Sequence, residues 1–225
     1  DMGVQPDAVM ERLAGDRLHV ADVYGAVVDL ATSGASRPAD KSNLNVEWLE
    51  VVLDRFGEAR AIAVVRDPRA VFVSARELGW LSSPAAFARS WARVQATLLG
   101  LASGPHSDRV ALLRYEDVVA DPANAGRLVG AAAVLAPPSP GPEAGDAGIS
   151  PLFHPREARW KQRALQPPDP SRAARWRGEL DAETERTILR VCARPMAVLG
   201  YDTSGSASLA APATVSAHVS SRRPD

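Results

Sequence analysis

Cysteine is nearly absent from this chain: Cys192 is the single one in 225 residues. One thiol excludes an intramolecular disulfide and any thiolate-built metal cluster, and it fits a reducing compartment, so the expected location is cytoplasmic. The four histidines (His19, His106, His154 and His218) are scattered without metal-ligand spacing, and no metal is expected. Neither charge sign is in excess: 26 basic residues face 27 acidic ones, so no global basic field draws the chain to nucleic acid. No apolar run approaches the roughly 18 residues of a membrane span, and no signal peptide opens the chain. Lysine is scarce too, since only Lys41 and Lys161 among the 26 basic residues are not arginine. A lysine that persists in such a chain marks a position suited to a compact point charge, or else an ordinary solvated loop.

What remains is globular: 46% hydrophobic and 24% charged, long enough for one sizeable α/β domain or two small ones. Residues 6 to about 33 read as one or two helices. Ser33 to Pro38 reads as a loop. Leu44 to Phe56 reads as another helix, with Leu44, Trp48, Val51, Val52 and Phe56 on its apolar side. Pro84 starts a long helix with a buried stripe of Phe87, Trp91, Val94, Leu98 and Leu101. Val110 to Arg114 is a short buried strand, followed by helices from Tyr115 and from Asp121-Pro122. Ala136 to Ser150 is rich in Pro, Gly and Ala and reads as a flexible loop. Residues 171–178 suggest a short helix or turn around Trp176, taken as a packing anchor. Asp181 caps a last helix whose packing residues include Ile188, Leu189, Val191, Cys192 and Val198, and Gly200 stops it. The expected organisation is one domain over residues 1–201 and a disordered tail over 202–225.

The most informative stretch is Ala61 to Arg76. Ala61 to Val65 is a short apolar run that reads as a buried parallel strand. It stops at Arg66-Asp67-Pro68-Arg69, and a helical pattern restarts through Val71, Val73 and Ser74. Ligands of α/β folds bind where strands end in such turns. The free N–H groups and positive dipole end of a helix N-terminus suit a phosphate. Arg66 and Ser74, eight residues apart, can converge on one anion as a fork and a hydroxyl donor. The plain alternative is a local Arg–Asp pair, an ordinary Pro at a helix start and an ordinary first-turn Ser. Glu116 and Asp117 read as structural caps, and Arg69 as a partner of Asp67 or an edge residue of the site. Strands separated by helices imply a parallel sheet covered by helices on both faces.

In order along the chain stand Asp40-Lys41-Ser42, then Val64-Val65-Arg66-Asp67-Pro68-Arg69 with Ser74. Leu113-Arg114-Tyr115-Glu116-Asp117-Val118-Val119 with Asp121-Pro122 follow, and then Arg175-Trp176-Arg177 and Leu199-Gly200-Tyr201. Together they resemble the sulfotransferases that use 3′-phosphoadenosine-5′-phosphosulfate (PAPS), over roughly residues 20 to 201. The resemblance implies an α/β, three-layer, P-loop-NTPase-like parallel sheet flanked by helices. It also implies sulfuryl transfer from PAPS to a hydroxyl or amine of a small-molecule, carbohydrate, lipid or peptide acceptor. By the same resemblance Arg66 and Ser74 bind the 3′-phosphate, Lys41 stands at the sulfate or leaving oxygen as the catalytic cation, and Arg163 closes over the nucleotide within a basic segment, 156–166. A solvated charge run is the alternative for that segment.

The family's opening strand and its Gly-containing loop for the 5′-phosphosulfate have no counterpart here. Gly34 to Ser42 only mimics a Walker loop: it is one residue too long, Asp40 replaces the glycine beside the lysine, and Pro38 has no N–H to donate. The expectation is a chain that lacks its first strand and loop, with Glu11 and His19 the remaining candidates for a general base. Two other readings stand beside the enzyme. One is an inactive nucleotide-binding or partner-binding remnant of the fold. The other is a kinase-like ATP protein, disfavoured by the missing Walker loop.

Overall fold

In the computed structural model the described residues are 4–13, 19–32, 38–41, 45–81, 83–133 and 169–205. The expected loops at 33–38 (but for Pro38) and 136–150, the basic segment 156–166 and all but the first residues of the expected tail lie outside them. The described residues up to Ala59 form one compact unit and those from Arg60 onward a second.

The first unit is helical: α1 (Pro6–Arg12), α2 (Val20–Ala31), a 3₁₀ turn (Asn45–Glu47) and α3 (Leu49–Arg55). His19 caps α2 through a reciprocal box: its Nδ1 accepts from the Ala21 N–H at 3.2 Å, and its own N–H donates to Asp22 Oδ2 at 3.1 Å. Asp22 also takes the Arg55 Nε–H at 2.9 Å, tying α2 to α3, and that guanidinium holds its carboxyl below the usual range. Gly25 has a packing reason, because a Cβ there would sit 3.0 Å from the Phe56 ring. Tyr24 packs on the same ring and donates to Asp40 at 3.1 Å; burial and that carboxylate push its phenol up to about 12. The expected single helix over 44–56 is corrected here: a 3₁₀ turn precedes a two-turn α3, the phase of the apolar stripe breaks, and Trp48 is 56% exposed while Leu53 is buried.

The second unit holds the sheet. Its strands β1 (Ala61–Val65) and β2 (Val110–Arg114) pair in parallel, with Ala61 opposite Val110 and Val65 opposite Arg114. Between them run α4 (Pro68–Glu77) and α5 (Pro84–Ser103), each opened by a proline at a first helical position that needs no N–H. After β2 come α6 (Tyr115–Ala120) and α7 (Pro122–Ala132), the latter capped by Asp121. The described C-terminal part is α8 (Ser171–Ala174), α9 (Trp176–Glu179) and α10 (Ala182–Val198).

The core of this unit lies where α10 packs on α5 and both meet α4. Ile188, Cys192 and Met196 recur at helical spacing and are fully buried, and Phe87, Ala88, Trp91 and Leu98 of α5 are buried with them. Three expected core positions are corrected. Val94 yields its place to Gln95, Val198 is 67% exposed in the last turn of α10, and Val64 is 56% exposed because no described element covers that face of β1. Because the strands are parallel, both end at the same edge of the sheet, which brings the Arg66 turn beside Tyr115.

Candidate anion-binding site

The turn after β1 is held from four directions. Asp67 caps α4, accepting from the Arg69 N–H at 2.8 Å, and its own N–H donates to Glu116 Oε1 at 3.1 Å. The Tyr201 hydroxyl shares its proton between Glu116 Oε2 at 2.9 Å and the Val65 carbonyl at 3.2 Å, and burial beside Glu116 raises its phenol strongly. Arg69 is 1% exposed and clamps the turn to the C-terminal elements. Its guanidinium donates to Asp67 Oδ2 at 2.7 Å, to Glu185 Oε1 at 3.3 Å and to the Asp202 carbonyl at 2.8 Å. The same group lies 3.8 Å from the Trp176 ring centroid, so it is sandwiched between carboxylates and an aromatic face.

At the N-terminus of α4, Pro68 has no N–H, the Asp67 carboxylate takes that of Arg69, and the Asp67 carbonyl takes that of Val71 at 3.0 Å. Glu116 is structural, as its sequence context suggests.

The open chemistry lies one to two turns along α4. A small cleft is lined by Arg66, Ala70, Val73, Ser74, Arg172, Arg175 and Trp176. Ala70, Ser74 and Glu77 follow one another on one face of α4. Ala70, Val73 and Trp176 form its packed floor. Arg66 is half-buried. Its Nη2 donates to the Arg172 carbonyl at 2.8 Å, and its guanidinium carbon sits 4.3 Å from the Tyr115 ring centroid. Its Nε is buried and has no hydrogen-bond partner among the described residues, the kind of orphan donor that calls for an explanation. Burial pushes the Arg66 guanidinium below its ordinary value; Tyr115 and Glu116 counter this, and the positive charges of Arg172 and Arg175 add to the depression. An anion in the cleft would offset the repulsion of Arg66 by Arg172 and Arg175.

In the sequence reading Arg175 stands only within Arg175-Trp176-Arg177, and neither it nor Arg172 is assigned to the site. Arg175 donates from Nη2 to Glu77 Oε2 at 2.8 Å and lies 2.6 Å from Glu179 Oε1 through Nε, and these carboxylates raise its guanidinium. Arg172 Nη2 stands 4.0 Å from Glu77 Oε2. The only sequence signal was the Arg-rich run around Trp176.

Of the expected site residues, the structure brings Arg66 and Ser74 to one cleft. Lys41 is exposed in the first unit, next to the Asp40 that Tyr24 holds. Arg163 lies outside the described residues. Among the described residues no group of acids, histidines or cysteines is placed to hold a metal ion, and no helix is long and apolar enough to cross a membrane.

A sulfotransferase family model matches residues 3–133, more than half of the chain. Among solved structures, the chain is similar to the sulfotransferase domain of the Synechococcus PCC 7002 olefin synthase, at 22% identity and a TM-score of 0.56. That match covers 81% of this chain and 64% of the other, so the chain spans less than two thirds of that domain structure. A sulfotransferase domain from the curacin biosynthetic pathway is similar at 21% identity and a TM-score of 0.55, covering 87% of this chain and 73% of that one. At these identities the structural likeness establishes the fold, an α/β arrangement of the P-loop-like kind. No curated protein sequence shows significant similarity to the chain.

Proposed function

The chain belongs to the sulfotransferase family, and on that premise we propose that it transfers a sulfuryl group from PAPS to a hydroxyl or amine acceptor. The observation that carries this reading is the cleft shared by Arg66, Ser74, Arg172 and Arg175, with the Arg66 Nε unpaired among the described residues. Three guanidiniums and a hydroxyl suit a phosphate dianion, which takes forked, charge-assisted hydrogen bonds. The 3′-phosphate of the nucleotide is that dianion. PAPS supplies an activated sulfuryl group: its bridging S–O bond breaks as the acceptor oxygen or nitrogen bonds to sulfur, adenosine 3′,5′-bisphosphate leaves, and the acceptor proton passes to a base.

Arg66 fixes the ribose end of the nucleotide, and Ser74 donates a hydroxyl to the same phosphate. The Asp67–Arg69–Glu185 network keeps the turn that carries Arg66 in place, so that Arg66 is preorganised. Lys41 is assigned to the sulfuryl end, where a compact ammonium meets charge developing on the leaving oxygen. Arg163 is assigned to the segment that covers the nucleotide. The biosynthetic origin of the two similar domains favours a small-molecule acceptor over a carbohydrate, lipid or peptide.

The test is radiolabelled transfer from PAPS to a panel of hydroxyl and amine acceptors, with adenosine 3′,5′-bisphosphate binding measured beside it. Label in an organic acceptor is the expected result. Binding without transfer to any acceptor would replace the enzyme by a nucleotide-binding remnant. Absence of both would overturn the site itself.

A further inference from the structure

Glu77 pairs with two arginines of the cleft. It is a carboxylate at the rim of a site whose chemistry favours an anion, and it stands one turn beyond Ser74 on the same face of α4. Its Oε2 lies 2.8 Å from Arg175 Nη2 and 4.0 Å from Arg172 Nη2. Both arginines line the cleft with Arg66 and Ser74. As arranged, the cleft has a cavity of about 10 Å³. That is room for about one water molecule and not for a phosphate group. Something lining it must move to admit an anion.

The floor cannot give way, because Ala70, Val73 and Trp176 are each 3% exposed and packed together. Arg66 is tethered to the Arg172 carbonyl. The side chains of Arg172 and Arg175 are freer: they are half-buried, and their carboxylate partner Glu77 is 41% exposed. Those two guanidiniums are the movable lining, and Glu77 holds them.

We propose that Glu77 is an internal competitor for the 3′-phosphate, holding Arg172 and Arg175 until the nucleotide draws them off and recapturing them when the product leaves. This rests on the reading of the cleft as the 3′-phosphate site. The competition lowers nucleotide affinity and thereby favours release of adenosine 3′,5′-bisphosphate, a step that limits turnover in many enzymes. Glu179, which pairs with Arg175 Nε at 2.6 Å, stays with its arginine as an i,i+4 partner within the same short segment and moves with it.

The experiment is calorimetric titration of adenosine 3′,5′-bisphosphate and of 5′-AMP into the wild type and Glu77→Gln. A partly exposed ion pair is worth about 0.2–1 kcal/mol, so Glu77→Gln is expected to tighten the bisphosphate by about 1.4- to fivefold and to leave 5′-AMP unchanged. Adding Arg175→Gln to Glu77→Gln should abolish that gain. Unchanged or weakened bisphosphate binding in Glu77→Gln would overturn the proposal, while a wild type that does not distinguish the two nucleotides would overturn the 3′-phosphate site beneath it. Glu77→Asp, which draws the same charge back by one methylene, gives the same expected direction should the glutamine variant fold poorly.

Discussion

Replacing Arg69 by methionine should unfold most of what holds the second unit's C-terminal elements to its sheet. The residue is 1% exposed, and its two carboxylate partners, Asp67 and Glu185, are 5% and 3% exposed. Methionine fills a similar volume, so the main loss is electrostatic: two carboxylates stay buried without their cation, and the Asp202 carbonyl loses its donor. Breaking a buried pair by removing one member costs about 3–5 kcal/mol. The contact with the Trp176 ring adds to the same loss and is not counted separately. Set against a total stability of about 5–15 kcal/mol, the change consumes a large share. Urea unfolding followed by tryptophan fluorescence reads it, with Trp176 as a local reporter. The specific signature is recovery: Asp67→Asn and Glu185→Gln on the Arg69→Met background remove the stranded charges and should restore part of the loss. A loss under about 1 kcal/mol for Arg69→Met, or no recovery on neutralising both carboxylates, would refute the reasoning.

Two further predictions concern the same unit. Burial pushes the Cys192 thiol from 9.0 up to about 12. The sign follows: its contribution to stability is complete below about pH 9 and is lost as pH rises toward 12, so an alkaline titration of stability should fall across that window, and the native thiol should resist alkylation at pH 8 until urea is added. Gly200 closes α10 with a φ of 73°, a left-handed conformation that suits glycine. Gly200→Ala should cost about 1–2 kcal/mol in a urea titration, and a neutral result would mean that the turn relaxes freely.

Much of the fold was legible because it is written in local grammar. β1 and β2 occupy the two short apolar runs bounded by charge, and α4, α5 and α7 each begin at a proline. Cys192 and Trp176 are buried where their apolar neighbours placed them. The misses have physical causes. Trp48 looked buried because a continuous helix was assumed, and the 3₁₀ turn before α3 shifts the phase. Val64 looked buried because an apolar strand was assumed to be covered on both faces. The parts of the site carried by Arg172, Arg175 and Glu77 were not legible. Arg175 meets Glu77 across 98 residues and Arg66 meets the Arg172 carbonyl across 106, and no local pattern announces such pairings. The capping role of Asp67 shows the converse: Asp-Pro reads as a helix start, yet only the hydrogen bond to the Arg69 N–H shows which of the first-turn N–H groups the carboxylate takes.

The central claim is that the cleft beside α4 reads the 3′-phosphate of a nucleotide through Arg66. Isothermal titration of adenosine 3′,5′-bisphosphate against 5′-AMP, in the wild type and in Arg66→Ala, tests it most directly. The account predicts a clear preference for the bisphosphate in the wild type, and a loss of about 2–5 kcal/mol of that binding in Arg66→Ala, which closes the gap between the two nucleotides. Equal affinity for both nucleotides in the wild type, or a preference that survives Arg66→Ala, would contradict it.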